Sequence, residues 1–268
     1  MDDVITSEKV NEYISKIPPS PQALRDTLGF LQLGELSKAS KIAAEDLALS
    51  AYLKDLMKKS IYSFRNEVSN ISQIFGILGV SGSQRAVYNY MISLLSPKKW
   101  LLFKLNASSF HKLQEELSED WEKILAHLGI YDKEIQSAIT LLPASIIVSE
   151  ALFSDSIDNV RLLRSASDID YNTILLRLSG MDLFDICEKI SQKWEMQEKI
   201  AKIIQASSGV KIQNDIEINL LGKWMHLLLF YTLSKPQFIE AELNDFIDFQ
   251  VEYVMEIYDD FNSVIGIS

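Results

Sequence analysis

Residues 20–34 read Ser20-Pro21-Gln22-Ala23-Leu24-Arg25-Asp26-Thr27-Leu28-Gly29-Phe30-Leu31-Gln32-Leu33-Gly34. Ser20 is a helix N-cap, because its hydroxyl can take one of the amide protons that the first turn leaves unpaired. Pro21 suits the first helical position, where a missing N–H costs nothing. Leu24, Leu28 and Leu31 then fall on one face at helical spacing. Gly34 ends the run where a residue without Cβ turns the chain left-handed. The stretch is a capped amphipathic helix, and the same pattern recurs along the chain. ELSKASKIAAED (35–46) and LALSAYLKDLMKKS (47–60) follow, the second with Leu47, Ala51, Leu53 and Met57 at helical intervals. Residues 62–69 read as a loop.

Further on, Ser69-Asn70 starts a helix that Gly79 closes, and Ser81 or Ser83 caps the next, which stops before Pro97. An amphipathic helix near Ala107–Leu128 ends at Gly129. Tyr131-Asp132 opens a helix to Leu142, and Pro143 begins the following one. Shorter helices are expected around 156–165, 171–178, 182–194 and 197–207. Two longer ones, 215–232 and 237–261, are separated by Pro236. No segment alternates with period two, no repeat of fixed period is visible, and no Ser/Gly/Pro linker divides the chain. Composition agrees: in 268 residues there are only 10 glycines and 6 prolines, too few for the tight turns of a β-sandwich or barrel. The expected class is all-α.

Single residue counts exclude several functions. One cysteine, Cys187, allows neither an internal disulfide framework nor a Cys-rich zinc site. The acidic N-terminus MDDVITSEKVNEY lacks the apolar core of a signal peptide. The longest apolar run, around Ser145–Ala151, is far shorter than the roughly 20 residues of a membrane span. A cytoplasmic protein with no membrane contact is expected. The net charge of −11 is uneven: residues 54–112 carry +7, and residues 236–268 carry eight acids and no base. An acidic balance argues against nucleic acid as a partner, since phosphate binding needs a positive field.

Four segments together resemble the HDOD family, bacterial proteins related to HD-domain phosphohydrolases. Ile17-Pro18-Pro19-Ser20-Pro21-Gln22-Ala23-Leu24 is similar to the opening LPPLP signature. Ile42–Leu49 is similar to the I..DPAL helix start, with Glu45-Asp46 in place of Asp-Pro. Val68–Val80 resembles VSSI.QAI.LLGL. Gly180-Met181-Asp182, with Trp194 and Glu198–Ile204, resembles G.DH…W.LPE.I..AI. The resemblance spans about 200 residues. It implies an all-α HDOD/HD-like domain over 7–208, with an N-terminal helical lobe (about 7–96) and an HD-like lobe (about 107–208). Residues 209–268 would form a C-terminal helical pair packed on the same unit.

The parent superfamily uses histidines and aspartates to hold metal ions that activate water. Here the family's LLHDIG position falls on Leu141–Ile146, which puts Pro143 and Ala144 where His-Asp would stand. The later DH falls on Asp182-Leu183, and the terminal HH near Ala206-Ser207-Ser208. His111 alone matches, as the first histidine. The resemblance therefore implies no metal, no cofactor and no catalysis. It implies a regulatory role in bacterial signal transduction through contacts with other signalling proteins. No accompanying signalling module is read in these residues, so a stand-alone adaptor is expected. A small-molecule effector in the former metal pocket would be one way to bias it. The competing reading is a degenerate phosphohydrolase or nucleotide-binding protein using that pocket.

Other candidates are charged surfaces and isolated groups. Lys58, Lys59, Arg65 and Arg85 belong to a basic segment interleaved with aromatics, readable as a solvated face, as a dock for an acidic protein surface or, least favoured, as a nucleotide or nucleic-acid contact. Asp245, Asp248, Glu252, Glu256 and Asp259 recur at three- and four-residue steps and would share one helix face, with Ile239, Leu243, Phe246, Val254, Ile257 and Phe261 on the other. That stripe is either solvated or partner-facing. Gly79–Arg85 is a glycine pair leading into a helix with an arginine one turn in, either a plain turn or a phosphate seat. Cys187 reads as a small buried filler, His127 as a helix-end dipole partner, and His226 as a packed helix residue.

Overall fold

The computed structural model describes residues 5–16, 22–58, 68, 70–97, 99–167, 169–194 and 196–266, and every regular element among them is helical. Ser20-Pro21, most of the LPPLP-like stretch, the 62–69 loop apart from Val68, Lys59 and Arg65 lie outside the described residues. The chain divides into two compact units.

The smaller unit comprises residues 18–94 and 132–137. Helices α2 (Gln22–Gln32) and α3 (Leu36–Glu45) form a hairpin around Gly34, whose φ of 76° only glycine adopts at little cost. Leu24, Leu28 and Leu31 are buried, as their spacing requires. Helix α4 (Leu47–Met57) starts at Asp46, whose carboxylate accepts the amide protons of Ala48 and Leu49. It buries Leu49, Leu53 and Met57, while Leu47 and Ala51 face outward. Helix α5 (Ile71–Leu95) is interrupted at Gly79, where φ is 66° and ψ −175°, so the expected helix end is a kink between two helical runs. Asp132 caps the short α7 (Lys133–Ala138), accepting from the Glu134 and Ile135 amides.

The larger unit comprises residues 1–17, 95–131 and 138–268. Helix α6 (Ala107–His127) opens with an Asn106–Ser109 capping box and ends at Gly129, φ 69°. Helix α8 (Leu141–Ser154) starts two residues before Pro143 rather than at it, and α7 ends at Ala138 rather than Leu142, with a turn between. Almost every residue of α8 is buried, which explains its unbroken apolar run. Among the described residues, Glu134–Ser154 is the one stretch long and apolar enough to cross a membrane, and 89% of it is buried inside the protein. Helices α1 (Ser7–Lys16) and α11 (Leu183–Lys193) pack on α8, and α12 (Glu198–Ala206) packs between α11 and α13 (Ile216–Leu233). Helices α9 (Ile157–Ser167) and α10 (Tyr171–Ser179) fill the sequence between α8 and α11. The α12–α13 approach needs Gly222, since a Cβ there would lie 2.5 Å from Ala206 Cβ.

The C-terminal segment departs from the expected single helix over 237–261. It is broken into α14 (Pro236–Ile239), a 3₁₀ turn (Asn244–Phe246), α15 (Val251–Val254), a second 3₁₀ turn (Met255–Ile257) and α16 (Tyr258–Ile265). Glu242 has φ 65°, which stops α14, and Ile247 is extended. Tertiary bonds replace helical ones: the Gln250 amide donates to His226 Nε2 at 3.1 Å, and Phe249 stacks on Phe230 with centroids 4.3 Å apart. The apolar set still faces inward, with Leu243, Phe246, Val254, Ile257 and Phe261 buried, but Ile239 is exposed. Asp245, Asp248, Glu252, Glu256 and Asp259 therefore do not share one helix face.

Candidate functional site

Helix α11 begins where the HDOD resemblance aligns its Asp-His pair with Asp182-Leu183. Asp182 is its N-cap, with Oδ1 accepting the Asp185 amide at 2.8 Å, and Asp185 Oδ2 accepts the Asp182 amide in return. This reciprocal box holds two carboxylates side by side at a helix start. Between them lies the ammonium of Lys211, 2.9 Å from Asp182 and 2.7 Å from Asp185. Gln205 Nε2 adds a donor to Glu188 at 2.6 Å and to Asp185 at 3.2 Å. Burial raises the Asp182 carboxyl above its ordinary value, against the pull of Lys211. Burial also acts on the more exposed Asp185, but bonds from Lys211, the Asp182 backbone and Gln205 outweigh it and hold that carboxyl low. Lys211 is held above the usual lysine range, since its two carboxylate bonds exceed its desolvation. A cation is thus already seated here, and it belongs to the chain.

The other HD-like positions carry packing. Pro143 and Ala144 are buried in α8. Leu183 is fully buried, and its amide donates to Asn172 Oδ1 at 2.8 Å. Ser207 is buried at the C-cap of α12, donating from Oγ to Ile204 O. His111, on α6, pairs with Glu115 at 3.1 Å on a partly exposed face. Among the described residues no three His, Cys, Asp or Glu side chains come together as a metal site. The residues at these positions do not fit the metal ions of the HD superfamily: a proline, an alanine, a leucine and a serine offer no strong ligand, and a lysine fills the acidic niche.

Cys187 sits between α11 and α8, its Sγ 3.5 Å from Leu141 O and 3.2 Å from Ser145 Oγ. Burial pushes its thiol up to about 12, which leaves it protonated and a poor nucleophile. His127 ends α6 and lies against Trp224, ring centroids 5.6 Å apart. The Gly79–Arg85 stretch holds the Gly79 kink and the start of the second helical run of α5, with Ser83 and Gln84 buried.

His226 is fully buried and joins three segments. Its Nε2 accepts the Gln250 amide, so Nδ1 carries the proton and donates to Ser207 O at 2.9 Å. Burial holds its imidazole below the ordinary 6.5, against the raising influence of Ser207 O and Asp248. Protonation would set an N–H against the Gln250 N–H. With the folded value below the unfolded one, the unfolded chain binds the proton first as pH falls. Stability is whole above 6.5 and declines below it, by up to about 1.4 kcal/mol per pH unit. Urea unfolding at pH 7.5 and 5.5 should show the native chain losing more stability than His226→Gln, which cannot titrate. Equal losses would show that His226 does not sense this range.

Two cavities flank the His226–Gln250 contact. One, about 220 Å³, has Asp170, Asp182, Asp248, Phe184, Phe246 and Gln250 among its lining residues. The other, about 430 Å³, is lined by Gly209, Ile212, Asn219, Lys223, Gln250, Glu252 and Tyr253. Both lie within the larger unit.

The charged surfaces are only partly as the spacing suggested. Asp245 is half-buried in an ion pair with Arg164. Asp248, Glu252 and Asp259 are exposed, and Glu256 pairs with Lys223. In the smaller unit Lys58 pairs with Asp55 at 2.9 Å, and Arg85 is half-buried. The sequence does not display the cluster of Lys211, Asp185 and Gln205. The Asp182-x-x-Asp185 spacing advertises a capped helix, but nothing local announces a lysine 26 residues later.

No protein-family model matches the sequence, and no curated protein matches it. Solved structures do. An HDOD domain protein of unknown function from Geobacter sulfurreducens superposes with a TM-score of 0.62 at 15% identity, covering 97% of this chain and 96% of that one. A "Putative phosphohydrolase" from Shewanella amazonensis SB2B superposes with a TM-score of 0.65 at 18% identity, covering 97% and 88%. The chain has the all-α HDOD/HD-like fold.

Proposed function

We propose that this protein is a non-catalytic regulator of HDOD type, acting in bacterial signalling through contacts with other proteins. The observation that carries the reading is the Lys211 ammonium bound to Asp182 and Asp185, with Pro143 and Ala144 at the paired His-Asp position. Metal-assisted hydrolysis needs a cation with open coordination and a bound water. An ammonium has no open coordination and cannot polarise water comparably. With chemistry removed, what a fold of this kind offers is surface.

A nucleotide effector is disfavoured by charge. The cavity beside Asp182 has Asp170, Asp182 and Asp248 among its lining residues, and an acidic lining repels phosphate. An effector at that place would be neutral or cationic. The test is turnover. The purified chain, supplied with Mn²⁺, Mg²⁺ or Fe²⁺, is expected to hydrolyse neither nucleotides nor cyclic dinucleotides nor p-nitrophenyl phosphoesters above the metal-only rate. Hydrolysis that survives purification and is abolished by Asp182→Asn would overturn the reading.

A further inference from the structure

The broken C-terminal segment leaves apolar side chains in solvent beside acids. Val251 is 56% exposed and Met255 70%, alternating with the exposed Asp248, Glu252 and Glu256. From the connection after α12, Val210 is 65% exposed and Ile212 71%. These two stretches meet: Ile212 and Glu252 line the 430 Å³ cavity, Val210 and Asp248 line the 220 Å³ cavity, and Gln250 lines both. The result is a groove about Gln250 with an apolar edge and an acidic edge. Gln250 itself is fixed by His226, so the groove floor is preformed. Among the described residues its one lining cation, Lys223, is paired with Glu256. Residues 236–268 contain no base at all.

Exposed apolar side chains of this size mark interaction surfaces more often than chance placement does, when they are contiguous and rimmed by charge. The sign of the charge selects the occupant. Phosphate backbones are repelled here. A helix with apolar residues at three- and four-residue spacing and lysines or arginines on its flanks matches both edges. We infer that the groove around Gln250 docks a basic amphipathic helix of a partner protein, its apolar face against Val210 and Ile212 and its cations on Asp248 and Glu252. This inference rests on the protein-contact reading and gives it a partner chemistry.

The test uses a fluorescein-labelled 18-residue peptide of leucines and lysines, arranged to form an amphipathic helix, and the full chain. A scrambled peptide of the same composition, with no apolar face, serves as the control. Anisotropy titrations should give saturable one-to-one binding of the ordered peptide, at least tenfold tighter than the scrambled one. Ile212→Ser and the pair Asp248→Lys/Glu252→Lys should each weaken binding at least tenfold. Glu198→Lys, an equally exposed charge reversal on α12, should not. Thermal melts should show each of the four proteins folded, with one cooperative transition. No binding, equal binding of the scrambled peptide, or indifference to the groove substitutions would overturn the inference. Concentration-dependent self-association abolished by Ile212→Ser would assign the groove to a second copy and overturn it too. Phosphoester turnover would sink the regulatory reading whatever the peptide does. Absent peptide binding without turnover would sink only the groove.

Discussion

Glu150→Ala is expected to destabilise the larger unit by about 3–5 kcal/mol, one of the largest losses any single substitution here should cause. Glu150 lies in the middle of α8 and is 1% exposed. A lone carboxylate at such a place would be prohibitively costly in isolation. It is tolerated because the backbone over 101–103 folds around it. Leu101 and Leu102 donate their amides to Oε1, Phe103 donates to Oε2 at 3.0 Å, and Ser154 Oγ donates to Oε1 at 3.1 Å. Removing the carboxylate leaves the amides of the buried Leu102 and Phe103 without acceptors, each at a cost of about 1–3 kcal/mol, and opens a void. Glu150→Gln should lose less, because it keeps one acceptor oxygen while setting an NH₂ against a donor. Urea denaturation followed by tryptophan fluorescence measures both. A loss below about 1 kcal/mol for the alanine variant would mean that the loop does not depend on this anchor.

Phe103→Ala should cost a similar 3–5 kcal/mol for a different reason. Phe103 is 1% exposed and meets Phe153 of α8, Tyr171 of α10 and Phe246 of the 3₁₀ turn, at ring-centroid distances of 6.4, 5.5 and 5.3 Å, all edge to face. This ring is the common contact of three segments far apart in sequence. Truncation removes its transfer free energy and leaves a cavity that three rigid aromatic walls cannot collapse to fill. Tyr171 is also fixed on its far side, donating to Glu242 at 2.6 Å with Arg164 over its ring, so it cannot swing in. The thermal midpoint should fall by roughly 10 °C, at 2–4 °C per kcal/mol for a unit of this size. Phe103→Leu, which keeps most of the volume, should fall by less than half as much. Equal shifts for the two variants would show that ring packing contributes little.

The two losses share an origin that the sequence did not display. Helix starts and stops were readable because their determinants are local. Asp46 and Asp182 cap within three residues, and Gly34 and Gly129 adopt positive φ where the pattern ends. The apolar side of the last segment was readable too, since Leu243, Phe246, Val254 and Phe261 are buried. Its backbone was not. The helix is broken by His226, 24 residues upstream, which takes the Gln250 amide, and by aromatic stacking of Phe249 on Phe230. Local propensity had no knowledge of either partner. The acidic stripe failed with the helix, because Asp245 turns inward to Arg164.

The candidate site was legible mainly as substitutions. Pro143, Ala144, Leu183 and Ser207 stand where the HDOD/HD resemblance would place metal ligands, and all four are buried. The cation that Asp182 and Asp185 share was not legible, because Lys211 reaches them only once α11 and α12 pack together. Glu150 carried a faint signal, a single acid within a run of apolar residues, and its backbone partners lie nearly fifty residues upstream.

That the chain seats its own ammonium in the acidic niche can be measured directly by equilibrium dialysis of the purified protein against Mn²⁺ and Zn²⁺. The native chain should retain no stoichiometric ion at either metal. One or two ions held per chain, and released by Asp182→Asn, would show that the niche is a metal centre after all and that Lys211 does not fill it.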